Sequence, residues 1–208
     1  LPLSTVIECF TLDRIVKSPA GFDPDKLASF QAYWMGQLPL EQKIEGCLPF
    51  LIGAHYIAQP VDDSTRQFVG RLIQAMGDRL KVFSDILDYD EFFVEDDQLV
   101  YDEKAVEKRL RKPADALRLL GEFRERLATV EPFDAPTLDR VLHEFVEAEG
   151  VKIGQVIHAL RVAVTGKSVG IGMFECLELL GRQRCLRRID RALALVSRTG
   201  EAEESASG

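Results

Sequence analysis

The residues of this 208-residue chain best suited to chemistry are its arginines. Arg182, Arg184, Arg187, Arg188 and Arg191 crowd one short stretch near the C-terminal end, and a guanidinium presents its donors in a rigid fork that fits phosphate oxygens and base edges. Just before them, Thr165 to Gly172 reads TGKSVGIG and holds the Gly-Lys-Ser of a phosphate-binding loop. Such a loop needs a glycine five residues before Gly166, and Arg161 stands there instead, so a nucleotide loop is excluded. Two readings of the arginines remain: a nucleic-acid contact surface, or the wet face of an amphipathic helix.

The other candidate residues do not assemble into a site. His55, His143 and His158 have no Cys or carboxylate at ligand spacing, and Cys9, Cys47, Cys176 and Cys185 form no C-x-x-C pair, which leaves reduced, buried thiols. Asp62 with Asp63, and Asp88, Asp90 and Glu91, lack the alternating ligands and central glycine of a calcium loop and read as solvated turns. Ser4, Ser18, Ser64 and Ser84 sit in no nucleophile elbow. No catalytic residue and no metal ligand is expected, and the chain reads as a binding module.

Charge distribution sharpens that reading. The formal net charge is −8, which argues against a polyanion partner until its placement is considered. Residues 151–198 carry nine basic side chains against three acidic ones, a net +6, and Glu201, Glu203 and Glu204 add −3, leaving −11 on residues 1–150. A basic end on an acidic body can still steer an anion locally, because exposed charges beyond about 8 Å are largely screened at physiological salt.

Helices must position these residues. Asp23 with Pro24 starts one that continues through Leu27, Phe30, Tyr33 and Trp34; Pro39 opens a second through Ile44, Cys47, Leu48 and Leu51. Asp62 or Asp63 caps a third containing Phe68, Leu72, Ile73 and Met76, and Leu80, Phe83 and Leu87 predict a shorter helix within 77–93. Asp102 starts another that Pro113 ends, followed by Leu117 to Leu127, and Asp134 with Pro136 begins the next. From Ile153 the order is helix, Gly-rich break, short helix, Gly181, and an arginine-studded helix to about Arg198. Only VEDDQLVYDE has a strand-like look. The expectation is an all-α fold of nine or ten helices with no substantial sheet, and a disordered tail over residues 199–208.

The segment Val151 to Leu193, VKIGQVIHALRVAVTGKSVGIGMFECLELLGRQRCLRRIDRAL, resembles the C-terminal end of bacterial-type glutamyl-tRNA synthetases. In that family a Lys-(Leu/Ile)-Gly stretch leads to Leu-Arg-x-Ala-x-Thr-Gly, a Gly/Pro turn, Phe-Glu, Leu-Gly and a final Arg-Leu helix. SPAGFDPDKL, CLPFLIGAHYI and DRLKVFSDI are similar to upstream family segments in the same order. The HIGH-like and KMSKS-like ATP-binding signatures of these class I ligases are absent from the sequence, and the chain begins at Leu1, which reads as a piece of a longer or processed protein.

The resemblance implies a tRNA anticodon-binding module whose catalytic domain lies upstream and attaches glutamate with ATP and Mg, no cofactor being needed in this segment. It implies the end of a stem-contact region over residues 1–36 and two helical anticodon-binding subdomains over 37–130 and 131–198. The implied partners are tRNA(Glu) and the catalytic domain of the same polypeptide, in a cytoplasmic monomer without membrane contact. Carried over position by position, the implied anticodon readers are Arg161, Thr165, Gly170, Ile171 and Met173, with Arg79 in DRLKVF matching an arginine that probes an anticodon base. Lys167, Arg184, Arg187, Arg188 and Arg191 would contact RNA phosphates. Ile171 replaces a common proline, and Ser29 and Gln31 replace a common Trp and Asn, departures that keep a second reading open: a helical paralogue acting as a protein-interaction adaptor.

Overall fold

The computed structural model describes residues 2–14, 21 and 23–206; the Ser18 to Ala20 and Phe22 positions of SPAGF, and Ser207 and Gly208, lie outside it. Among the described residues there is no strand. Ten α-helices follow in order: α1 (Leu3–Cys9), α2 (Pro24–Gln37), α3 (Leu40–Gly53), α4 (Asp63–Met76), α5 (Glu103–Val106), α6 (Ala116–Thr129), α7 (Ala135–Glu149), α8 (Ile153–Thr165), α9 (Met173–Leu180) and α10 (Arg182–Ala206). Short 3₁₀ segments cover Gly77–Arg79 and Phe83–Phe92, and a π-helical turn over Glu107–Arg111 extends α5.

Local chemistry explains most of the starts. Asp23 accepts from the amides of Asp25 and Lys26 with Pro24 at the first helical position, and Asp62, Asp102 and Asp134 accept from the amides of Thr65, Lys104 and Thr137 at 2.6, 2.8 and 2.9 Å. A cap of this kind is worth about 1 kcal/mol because it satisfies an amide the helix leaves unpaired.

The buried residues form one continuous cluster from Met35 to Val196. Helix α3 packs on α4 and on the 83–92 segment, α10 lies on α6 and α8, and α9 reaches from α7 to α4, so it ties the two sides together. The division expected after residue 130 falls between α6 and α7, which pack on each other, with the rings of Phe123 and Phe145 5.2 Å apart. By contrast α1 buries nothing and α2 only Met35; Leu27, Phe30, Tyr33 and Trp34 fall on the expected helix but remain 45–64% exposed. No helix among the described residues is long and apolar enough to cross a membrane.

Two expectations are corrected, and the strand-like segment resolves in favour of the all-α expectation. The 77–93 stretch is not α-helical: Ile86, Tyr89 and Phe92 enter the core at three-residue intervals, the repeat of a 3₁₀ turn, and Tyr89 (φ −109°, ψ 37°) breaks the run. VEDDQLVYDE forms no strand and runs as irregular chain into α5. The tail does not end the helix near Arg198, since α10 continues to Ala206 through Glu- and Ala-rich sequence, residues of high helix propensity.

Candidate nucleic-acid interface

The turn after α8 is fixed by three contacts. Gly166 ends the helix at φ 74°, and a Cβ there would collide with the carbonyl oxygen of Val100, so both conformation and space demand glycine. The Asp102 amide donates to the Gly166 carbonyl at 2.9 Å. The Thr165 hydroxyl donates to the Arg161 carbonyl at 2.8 Å and accepts from the Lys167 amide at 3.1 Å.

Arg161 shapes the far side of the turn: its Nη1 donates to the Ile171 carbonyl at 2.8 Å and would lie 3.2 Å from a Cβ on Gly170. Its other N–H groups have no protein partner among the described residues. Lys167 is drawn inward, its ammonium donating to the Asp88 carbonyl at 2.6 Å, to Glu91 at 2.7 Å and to Asp90. Glu91 is only 2% exposed. Burial pushes the Glu91 carboxyl up, with Lys167 pulling it partly back; burial alone would lower the Lys167 ammonium, but Asp90 and Glu91 together hold it above the usual lysine range.

Between this turn and the 3₁₀ segments opens a cleft of about 530 Å³ lined by Arg79, Asp88, Tyr89, Arg161, Lys167 and the Ser168 to Gly170 backbone. Arg79 is exposed and makes no hydrogen bond or ion pair with the described residues. It faces the Tyr89 phenol, which burial raises and the arginine charge partly lowers. Val169 stands at the rim with 76% of its surface exposed. The cleft therefore offers two arginines with donors to spare, one exposed carboxylate at Asp88 and an apolar rim, a mixture that suits the donor and acceptor edges of a splayed base better than a bare phosphate.

Four of the residues singled out in the sequence meet here: Arg79, Arg161, Lys167 and Gly170. Others are placed differently. Thr165, Ile171 and Met173 are 1%, 2% and 4% exposed; their side chains build the wall behind the turn and offer no surface to a base. Asp88, Tyr89, Ser168 and Val169 were missed, although Ser168 and Val169 sit inside the turn and Asp88 in an acidic cluster read as solvated. That cluster is corrected too, because Glu91 is a buried anchor for Lys167.

Three of the four final-helix arginines expected at RNA phosphates, Arg184, Arg188 and Arg191, are turned into the protein. Arg188 is fully buried and donates to Asp96 at 2.7 Å and to the carbonyls of Val164 at 2.7 Å and Glu91 at 2.9 Å. Arg184 donates to Asp96 and to the carbonyls of Phe92 and Val94, and Arg191 to the carbonyls of Asp96 and Leu99 while lying 5.3 Å over the Tyr101 ring. Arg187 keeps an open face, 58% exposed, with its guanidinium on Asp96. Burial pushes the Asp96 carboxyl up, but Arg188, Arg187 and Arg184 outweigh it and hold the group below the usual carboxylate range. Among the described residues no cluster of three His, Cys, Asp or Glu could hold a metal ion.

The glutamate–tRNA ligase of Moorella thermoacetica is 34% identical over 92% of this chain and 39% of its own length, and that of Herpetosiphon aurantiacus 33% over 95% and 40%. The chain thus spans about two fifths of the length of these curated relatives. A solved glutamate–tRNA ligase from Elizabethkingia meningosepticum superposes with a TM-score of 0.75 at 23% identity, over 90% of this chain and 35% of that one, which shows the shared fold. Nothing among these relatives supports an adaptor. The family model described as an anticodon binding domain matches residues 42–193, a span that contains the cleft and the core behind it, and the chain belongs to that family.

Proposed function

We propose that this chain reads the anticodon of tRNA(Glu) as part of a glutamate–tRNA ligase whose catalytic domain, using ATP and Mg to attach glutamate, lies outside it. The observation that carries the reading is the convergence of Arg79 and Arg161, from elements 82 positions apart, on one cleft beside the 165–172 turn. Anticodon bases are splayed from their loop and read on their edges, and stacking or apolar contact holds them in place. Arg161, fixed by the Ile171 carbonyl, and Arg79, with no hydrogen bond or ion pair to the described residues, supply donors; Asp88 supplies an acceptor; Val169 supplies an apolar edge. The partner is tRNA and the setting the cytoplasm, with the enzyme acting as a monomer.

The test is a titration of the chain with a tRNA(Glu) transcript and an anticodon-swapped control at low and moderate salt. Selective, salt-sensitive binding is expected. Arg79→Ala and Arg161→Ala should each cost about 1–3 kcal/mol of preference between the two transcripts and relax base choice. Arg161→Lys, which keeps charge but loses the fork, should relax it almost as much. Equal binding of the two transcripts by the unaltered chain would sink the reading.

A further inference from the structure

With three arginines of α10 turned inward, exposed cations on other elements become candidates to follow an RNA backbone. Gln67, Arg71 and Gln74 occupy positions i, i+4 and i+7 of α4, one face of the helix, and all three are exposed with no hydrogen bond or ion pair to the described residues. That face continues directly to Arg79. A groove of about 620 Å³ is lined by Arg71, Gln74 and Arg79, so it shares Arg79 with the turn cleft, and a second groove of about 620 Å³ continues past Gln67, Arg71 and Gln74 toward α3. Two exposed acids line the first groove: Glu178, which accepts from the Ala135 amide at 2.8 Å, and Glu175 at the start of α9.

We propose that this exposed face of α4 is the track along which the RNA sugar-phosphate backbone leaves the turn cleft. Arg71 contacts a phosphate, and Gln67 and Gln74 hydrogen-bond to sugar or phosphate oxygens on either side of it. From Gln67 to Gln74 the helix advances about 10 Å, enough for two or three successive phosphates. Contacts of this kind set register and affinity without reading sequence, which divides the labour: Arg79 and Arg161 discriminate, Arg71 holds. The proposal rests on the reading of the turn cleft as the anticodon pocket.

The two can be told apart in one experiment. The 208-residue chain and its Arg71→Ala, Arg71→Glu and Gln74→Ala variants are titrated with the tRNA(Glu) transcript and the anticodon-swapped transcript between 50 and 200 mM salt. Arg71→Ala should weaken both transcripts by the same factor and reduce the slope of log affinity against log salt by about 1, so that about a threefold share of the salt response disappears over this range. Arg71→Glu should weaken both further, Gln74→Ala less than either, and the preference between transcripts should stay as in the parent chain. Parent-like affinity and slope in Arg71→Glu overturns the track and leaves the anticodon reading standing. Loss of preference in the Arg71 variants also overturns it, by making Arg71 a base reader, whereas absence of preference in the parent chain overturns the reading beneath it.

Discussion

Two groups of arginines flank the same site and do opposite work. On α10, Arg184, Arg188 and Arg191 point at the irregular chain between Glu91 and Leu99 and donate to five of its carbonyls, while Asp96 collects three guanidinium groups. On α4 and just past it, Arg71 and Arg79 make no hydrogen bond or ion pair with the described residues. The difference lies in the partner element. This partly buried stretch, irregular past Phe92, leaves carbonyls unpaired, each costly to bury alone, and arginine is the side chain able to satisfy several at once. Helix α4 satisfies its own backbone and draws no arginine to its carbonyls; Arg66 pairs across to Glu41 and Glu45 of α3, whereas Arg71 remains available to a ligand.

The largest expected effect tests the inward group. Asp96→Ala leaves the fully buried Arg188 without its counter-charge, and breaking a buried pair from one side costs about 3–5 kcal/mol. For a chain of this size that corresponds to a fall in Tm of roughly 6–20 °C, read by calorimetry. Arg79→Ala should leave stability within about 0.5 kcal/mol, as surface substitutions do. A stable Asp96→Ala protein with altered anticodon preference would break the comparison, because it would put the α10 arginines in the reading of RNA.

The sequence made the helices legible far better than the roles of these arginines, and the reason is physical. Asp23, Asp62, Asp102 and Asp134 announce their helices because a cap is a local interaction written within four residues. Besides the Asp96 carboxylate and the Val164 carbonyl, the acceptors of Arg184, Arg188 and Arg191 are backbone carbonyls some 90 positions away, and a carbonyl has no letter in the sequence. Ile171 and Met173 were placed at the right turn, but whether a residue of that turn faces a base or the core depends on α9 packing against α4. Arg161 and Arg79 could be found, one from an ordered motif and one from a loose match; their meeting in one cleft could not.

A smaller effect comes from the Lys167 node, where pH separates structure from recognition. The folded-state pKa of Glu91 is raised by burial, so its contribution to stability is full below the ordinary carboxylate value of about 4.3 and is lost as pH rises through the folded value. Asp96 has the opposite sign: its contribution is present above about 3.9 and is lost as pH falls through its lowered value. Lys167→Met removes the charge that pulls Glu91 down and so raises it further. The Tm gap between Lys167→Met and the parent chain should therefore be small near pH 4.5 and widen by pH 7.5 to the equivalent of about 1.5–3 kcal/mol, the worth of a hydrogen bond to a charged group. A gap that narrows with rising pH would mean that Glu91 does not depend on Lys167.

The smallest expected effect falls on Arg187, the residue that belongs least clearly to either group. Its guanidinium is 58% exposed and its single partner, Asp96, already holds Arg184 and Arg188, so losing it should cost no more than about 1 kcal/mol, in line with exposed ion pairs. Because a phosphate would have to compete with the Asp96 carboxylate 2.7 Å away, Arg187→Ala should also leave the salt slope of tRNA binding unchanged, in contrast to Arg71→Ala. A slope reduced by about 1 in Arg187→Ala would show that the open side of this arginine meets RNA, extending the backbone contacts onto α10.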